Sequence, residues 1–136
     1  MDLDRWWPDL LANHLQIRDR LLAAYAEGRG YHDTRHLAEV LERLDELMPT
    51  DFPDRDAVVL AAWFHDAVYE SHASAGESNE ERSAITAERE LATVDAPPLL
   101  VDEVARLVRL TETHRPAPDD LNGGLLGAYS GLTNNT

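Results

Sequence analysis

The chain has 136 residues, with 12 arginines and no lysine, 26 Asp plus Glu, six histidines and no cysteine, giving a formal charge of −14. That size suits one domain around one core; the missing cysteines exclude disulfides, a thiolate nucleophile and Cys-ligated zinc, and the missing lysines exclude a Schiff base or a phosphate-loop lysine. The acidic balance opposes the phosphate neutralisation that duplex nucleic acid demands, and no apolar stretch approaches the ~20 residues of a membrane span, so a cytoplasmic protein with neither partner is expected.

Apolar residues recur at helical spacing along most of the chain, and alternation with period two is absent, which predicts an all-α bundle of about five helices. The first is expected from Pro8 to Glu27, with Leu10, Ile17 and Leu21 on one stripe, Leu11, Leu15, Leu22 and Tyr25 beside it, and a stop at Gly28-Arg29-Gly30. The second spans roughly Asp33 to Met48, with Val40, Leu41, Leu44, Leu47 and Met48 facing inward. From an N-cap at Asp54 the third runs to about Tyr69 and holds Ala57 to Phe64, eight residues without a polar side chain, so it is the expected centre of the core. Ser78-Asn79-Glu80-Glu81 has the capping-box pattern and opens a fourth helix to about Val94. A fifth, about Leu99 to Thr113, groups Val101, Val104, Leu107, Val108 and Thr111. Residues 1–120 therefore form the predicted helical domain, and 121–136 an uncharged tail with four glycines.

Six polar residues stand where these helices turn inward. His32 and His36 are ~40° apart around one helix axis and can share a ligand, although a His-x-x-x-His spacing alone more often marks a core histidine. His65 and Asp66 close the apolar run of the third helix, where a buried ionisable pair costs several kcal/mol unless a cation, or a hydrogen bond between the two, compensates it. Glu80 precedes Ala84, Ala87 and Leu91 at intervals of four, three and four, and His114 follows Leu107 and Thr111 on the same side. Separately they read as a helix-dipole charge and a C-terminal cap; with a partial site of two His and one Asp from the second and third helices they converge on one point. His14 reads as a packing histidine, His72 as a loop residue, and Trp6, Trp7 and Tyr25 as packing aromatics.

In order and rough spacing, Tyr31-His32-Asp33-Thr34-Arg35-His36, Trp63-Phe64-His65-Asp66-Ala67-Val68-Tyr69, Asn79-Glu80-Glu81-Arg82-Ser83-Ala84 and Thr111-x-Thr-His114 resemble the motifs of the predicted metal-dependent HD-superfamily phosphohydrolases. The resemblance covers about Trp6 to Leu126. It implies an HD-domain-like helical fold in which His36, His65 and Asp66 bind a divalent ion such as Mn, Ni, Co, Fe, Zn or Mg. By the resemblance His32 would support the ligands or bind a second metal, and Glu80 and His114 would face the substrate; for the reaction itself, His32 and Arg35 are the expected substrate contacts and Glu80 and His114 the expected catalytic residues. The implied reaction is hydrolysis of a nucleotide or another small phosphorylated metabolite.

One departure stands out. The family continues through an Asp-x-Asp-Leu segment that supplies a last aspartate ligand, whereas Ala128 and Ser130 occupy those positions here. Two other readings follow. One is a degenerate, non-catalytic HD-fold module that binds metal or nucleotide, or self-associates through surface left by missing C-terminal helices. The other is a dinuclear iron oxygenase with His32 as an added ligand.

Overall fold

Ala57 to Phe64 set the architecture, because a helix apolar on every side must be surrounded. The chain is described by a computed structural model over residues 3–26, 34–49, 51–68, 77–113 and 117–126. Among these, every regular element is helical: α1 Leu15–Tyr25, α2 Thr34–Leu47, α3 Arg55–Phe64, α4 Asn79–Ala92 and α5 Pro98–Leu110, with helical residues 121–126 closing the described chain. Helices α2, α4 and α5 all pack on α3, and α4 pairs most extensively with α5. All eight residues from Ala57 to Phe64 are buried, and truncating Leu60 or Phe64, each 0 % exposed, would cost ~2–5 kcal/mol in lost burial and cavity.

The predicted first helix is shorter than its periodicity suggests. Asp4–Trp6 and Asp9–Leu11 form separate 3-10 turns, Pro8 lies in the extended region, and His14 at φ −124°, ψ 50° interrupts the helical backbone before α1. The break re-aims the side chains: Leu11 is buried, while Leu10 and Leu15 are exposed. The Trp7 indole N–H donates to the Leu11 carbonyl at 2.9 Å, an oxygen that also accepts the His14 N–H at 2.9 Å. Trp7 and Trp63 then meet edge to face with centroids 5.1 Å apart, fastening the N-terminal segment to α3.

Helix α2 follows its predicted stripe except for Leu47, which is its last residue and lies at the rim of the apolar arc, exposed. Helix α4 begins where expected: Ser78 Oγ accepts the Glu81 N–H at 3.0 Å. The Glu81 carboxylate does not return to complete the box. It takes Arg109 of α5 in a two-pronged pair at 2.8 and 2.9 Å, which joins the start of α4 to the end of α5 and makes the two antiparallel.

The uncharged C-terminal segment starts inside the fold. Asp120 accepts the Gly123 N–H at 3.0 Å, as an N-cap does, and pairs with Arg106; Leu126 is 1 % exposed. Asn122 Nδ2 donates to Asp54 Oδ2 at 2.8 Å and to Glu103 Oε2 at 2.9 Å, tying the start of α3 to α5. No helix among the described residues is long and apolar enough to cross a membrane.

Candidate metal centre

Helix α3 ends at Phe64, five residues before the predicted Tyr69, and the reason lies in its last carbonyls. Ala62 O accepts His65 Nδ1–H at 2.5 Å, Trp63 O accepts the Tyr25 hydroxyl at 3.0 Å, and Phe64 O accepts the Ala67 N–H at 2.9 Å across three residues. The chain therefore tightens into a turn instead of continuing, and groups that a helix terminus leaves over are satisfied by side chains. His65 and Asp66 project from that turn.

His36, the third residue of α2, comes to the same place from the neighbouring helix. Its ring and that of His65 lie 5.5 Å apart, centroid to centroid, at 58°. Asp66 Oδ2 stands 3.3 Å from His65 Nε2 and 3.7 Å from His36 Nε2. All three residues are buried, and one ligand atom from each lies within 4.8 Å of the other two. The cluster can hold a metal ion. Among the described residues it is the one group of three or more His, Asp and Glu side chains that meets this condition.

Its electrostatics call for a positive charge. Because a carbonyl oxygen can only accept, His65 must carry its proton on Nδ1, which turns the Nε2 lone pair of the neutral ring towards the cluster. That Nε2 is buried without a hydrogen bond, opposite a carboxylate oxygen that is also an acceptor. A proton on Nε2 or a cation between the donors removes the conflict. The proton's pull is visible in His65 itself: burial pushes its pKa down, but the Asp66 charge and contact, the Ala62 carbonyl and the Glu80 charge outweigh it, and the net direction is upward. The negative end of the α3 dipole adds to the same preference.

The other predicted residues divide. Glu80, in the first turn of α4, is half-buried and close enough for its charge to act on His65, but it lies outside the three-residue cluster. Arg35 is exposed at the start of α2 and also outside the cluster. His32, His114 and His72 fall outside the described residues, as do Ala128 and Ser130. His14 is the partly exposed residue preceding α1. Asp120, the nearest acidic candidate for a closing ligand, has its carboxylate engaged by Arg106 and the Gly123 N–H, which hold its pKa down.

Two residues that support the centre were not singled out for it by sequence. Tyr25, at the end of α1, accepts the Asp66 N–H at 3.1 Å while donating to Trp63 O. Ser83 of α4 accepts the Val68 N–H at 2.9 Å and donates to Val68 O at 3.3 Å. The one available signal was a hydroxyl at each of two positions that fall on apolar stripes.

Compared with family models, with curated proteins and with solved structures, the chain matches none.

Proposed function

We propose that the protein is a metal-dependent phosphohydrolase of the HD type, acting on a nucleotide or another small phosphorylated metabolite, with the ion held by His36, His65 and Asp66. The observation that carries this reading is the buried His65 Nε2, oriented by Ala62 yet without a hydrogen bond beside the Asp66 carboxylate. Two imidazoles and one carboxylate are a donor set for borderline divalent metals, and a bond from the other ring nitrogen to a backbone carbonyl, as His65 Nδ1 makes to Ala62, is the usual companion of a ligating histidine. Donors placed ~2.1 Å from one ion are roughly 3–4 Å apart, so the three side chains would have to draw closer together to share it.

When bound, such an ion lowers the pKa of a water towards neutrality and offsets phosphoryl charge, which a chain of −14 without lysine has few other means to do. Glu80, half-buried in the first turn of α4, is assigned the role of orienting a water and taking its proton. Arg35, exposed at the start of α2, is assigned to the phosphoryl oxygens together with His32. His114 is assigned to the leaving oxygen, which it would protonate.

The experiment is a panel of phosphorylated compounds assayed with Mn, Ni, Co, Fe, Zn and Mg, alongside metal analysis. Turnover that is lost in Asp66→Ala and kept in His72→Ala supports the reading. Metal or nucleotide binding without turnover replaces it by the non-catalytic module, which the incomplete aspartate pattern favours. A two-His, one-carboxylate set also suits iron, so oxygen-dependent chemistry with an iron absorption band replaces it by an oxygenase.

A further inference from the structure

We infer that Tyr25 is a positioning residue for the metal centre, its hydroxyl holding the turn that presents His65 and Asp66. This rests on the metal-site reading above.

Tyr25 is 0 % exposed, and its side chain enters from α1, a helix that contributes no ligand. Its hydroxyl does two things at once. By donating to Trp63 O at 3.0 Å it occupies a carbonyl in the last turn of α3, and by accepting the Asp66 N–H at 3.1 Å it fixes the peptide that joins His65 to Asp66. The hydroxyl thus spans the two peptides that flank Phe64 and His65, and the orientation of that second peptide sets the directions in which the imidazole and the carboxylate leave the chain.

The same turn is held at its far end. Ser83 Oγ receives the Val68 N–H and returns a bond to Val68 O, so α4 grips the turn two residues beyond Asp66. Between the two hydroxyls the ligand-bearing segment has little freedom. A phenylalanine would fill the space of Tyr25 equally well for packing, which separates the hydroxyl's role from that of the ring. Without the hydroxyl, Trp63 O and the Asp66 N–H would be left in the interior needing new partners, and the turn would relax to find them.

The test compares wild type, Tyr25→Phe and Leu91→Ala, the last a core truncation that lowers stability at a buried position of α4 eight residues beyond Ser83. All three are first shown to be folded by circular dichroism at the temperature used. Cobalt(II) titration followed by visible absorption then reads both affinity and ligand geometry. Tyr25→Phe is expected to bind cobalt at least tenfold more weakly with an altered spectrum, and Leu91→Ala to keep the wild-type spectrum and affinity. Exchange of the Asp66 amide hydrogen, measured without metal, should speed up at least tenfold in Tyr25→Phe beyond any change shared by the α5 amides. Wild-type cobalt binding in Tyr25→Phe, or an equal loss in Leu91→Ala, overturns the inference. If wild type binds no metal, the metal reading fails, and unchanged Asp66 amide exchange in Tyr25→Phe overturns the positioning role by itself.

Discussion

His65 gives its Nδ1 proton to the carbonyl oxygen of Ala62, one turn back in α3, at 2.5 Å. This contact spends the imidazole's better-placed donor on the backbone and leaves the other nitrogen to face Asp66, so the pair cannot settle into the neutral His–Asp hydrogen bond that would end the helix quietly. The centre is left to choose between a proton and a metal, and both choices have measurable consequences.

With metal present, removing Asp66 takes away the cluster's one negative ligand. Asp66→Ala is expected to weaken binding by at least ~100-fold, because even outer-shell partners of metal ligands are worth ~10–100-fold. His72→Ala should leave affinity unchanged. Isothermal titration with Mn or Ni, with metal analysis of the purified protein, measures both; equal effects would remove the assignment.

Without metal, the proton decides. The His65 pKa is raised above its ordinary 6.5, so the folded state binds this proton more readily than the unfolded chain does. The resulting stability is fully present below pH 6.5 and is lost as pH rises through the folded value. In chelator, Tm should therefore fall on going from pH 6 to pH 8, and the difference should shrink in Asp66→Ala. A saturating metal should reverse the trend, since binding then improves as protons leave.

A second pH effect has the opposite sign. Glu81 is held below its ordinary pKa by its hydrogen bonds to Arg109, Glu103 by those to Arg106, and Asp120 by those to Arg106. Their contribution is present above the ordinary values of 4.5, 4.5 and 3.8 and is lost as pH falls through the lower folded values. Acid unfolding should accordingly be steep below about pH 4.5, and Arg106→Gln should flatten it. A Tm that stays level to pH 3 would contradict this.

Glu80→Gln separates chemistry from folding. General-base loss typically costs ~10²–10⁴ in turnover, whereas a partly buried helix-dipole charge is worth at most ~2 kcal/mol. Turnover should drop by at least a hundredfold while metal content holds and Tm moves by a few degrees. His114→Gln is expected to behave alike, and a large loss of stability in either would return that residue to a capping role.

The fold's closing segment offers a paired test. A Cβ on Gly123 would meet Leu110 Cδ2 at 2.6 Å, while one on Gly124 meets nothing within 4 Å. Gly123→Ala should cost ~1–3 kcal/mol by overpacking, and Gly124→Ala should be neutral or gain up to ~1 kcal/mol. Thermal melts of the two variants give the contrast directly.

The legible parts of this molecule were those written in contiguous side-chain chemistry. Eight apolar residues announced α3, a Ser-x-x-Glu pattern announced the start of α4, and the convergence of His36 with His65 and Asp66 followed from their positions at the ends of apolar stripes. Where a backbone group chose its partner, sequence was mute. The break at His14 depends on local dihedrals that periodicity averages over. The early end of α3 depends on a tyrosine 38 residues away from the carbonyl it meets, and nothing in an aromatic at a core position says that its hydroxyl will matter.

The bond from Asn122 to Asp54 links residues 68 apart in the chain. The pairing of α4 with α5 needs only a short connection and can form quickly, whereas the Asn122–Asp54 bond at the beginning of α3 forms only after residues 121–126 have arrived. Loop closure of that length is slow compared with helix-hairpin formation. Folding should thus proceed with the α4–α5 hairpin ahead and the Asn122–Asp54 clasp last. Stopped-flow refolding of Asn122→Ala would show this as an unchanged folding rate with faster unfolding, the behaviour of a contact absent from the transition state.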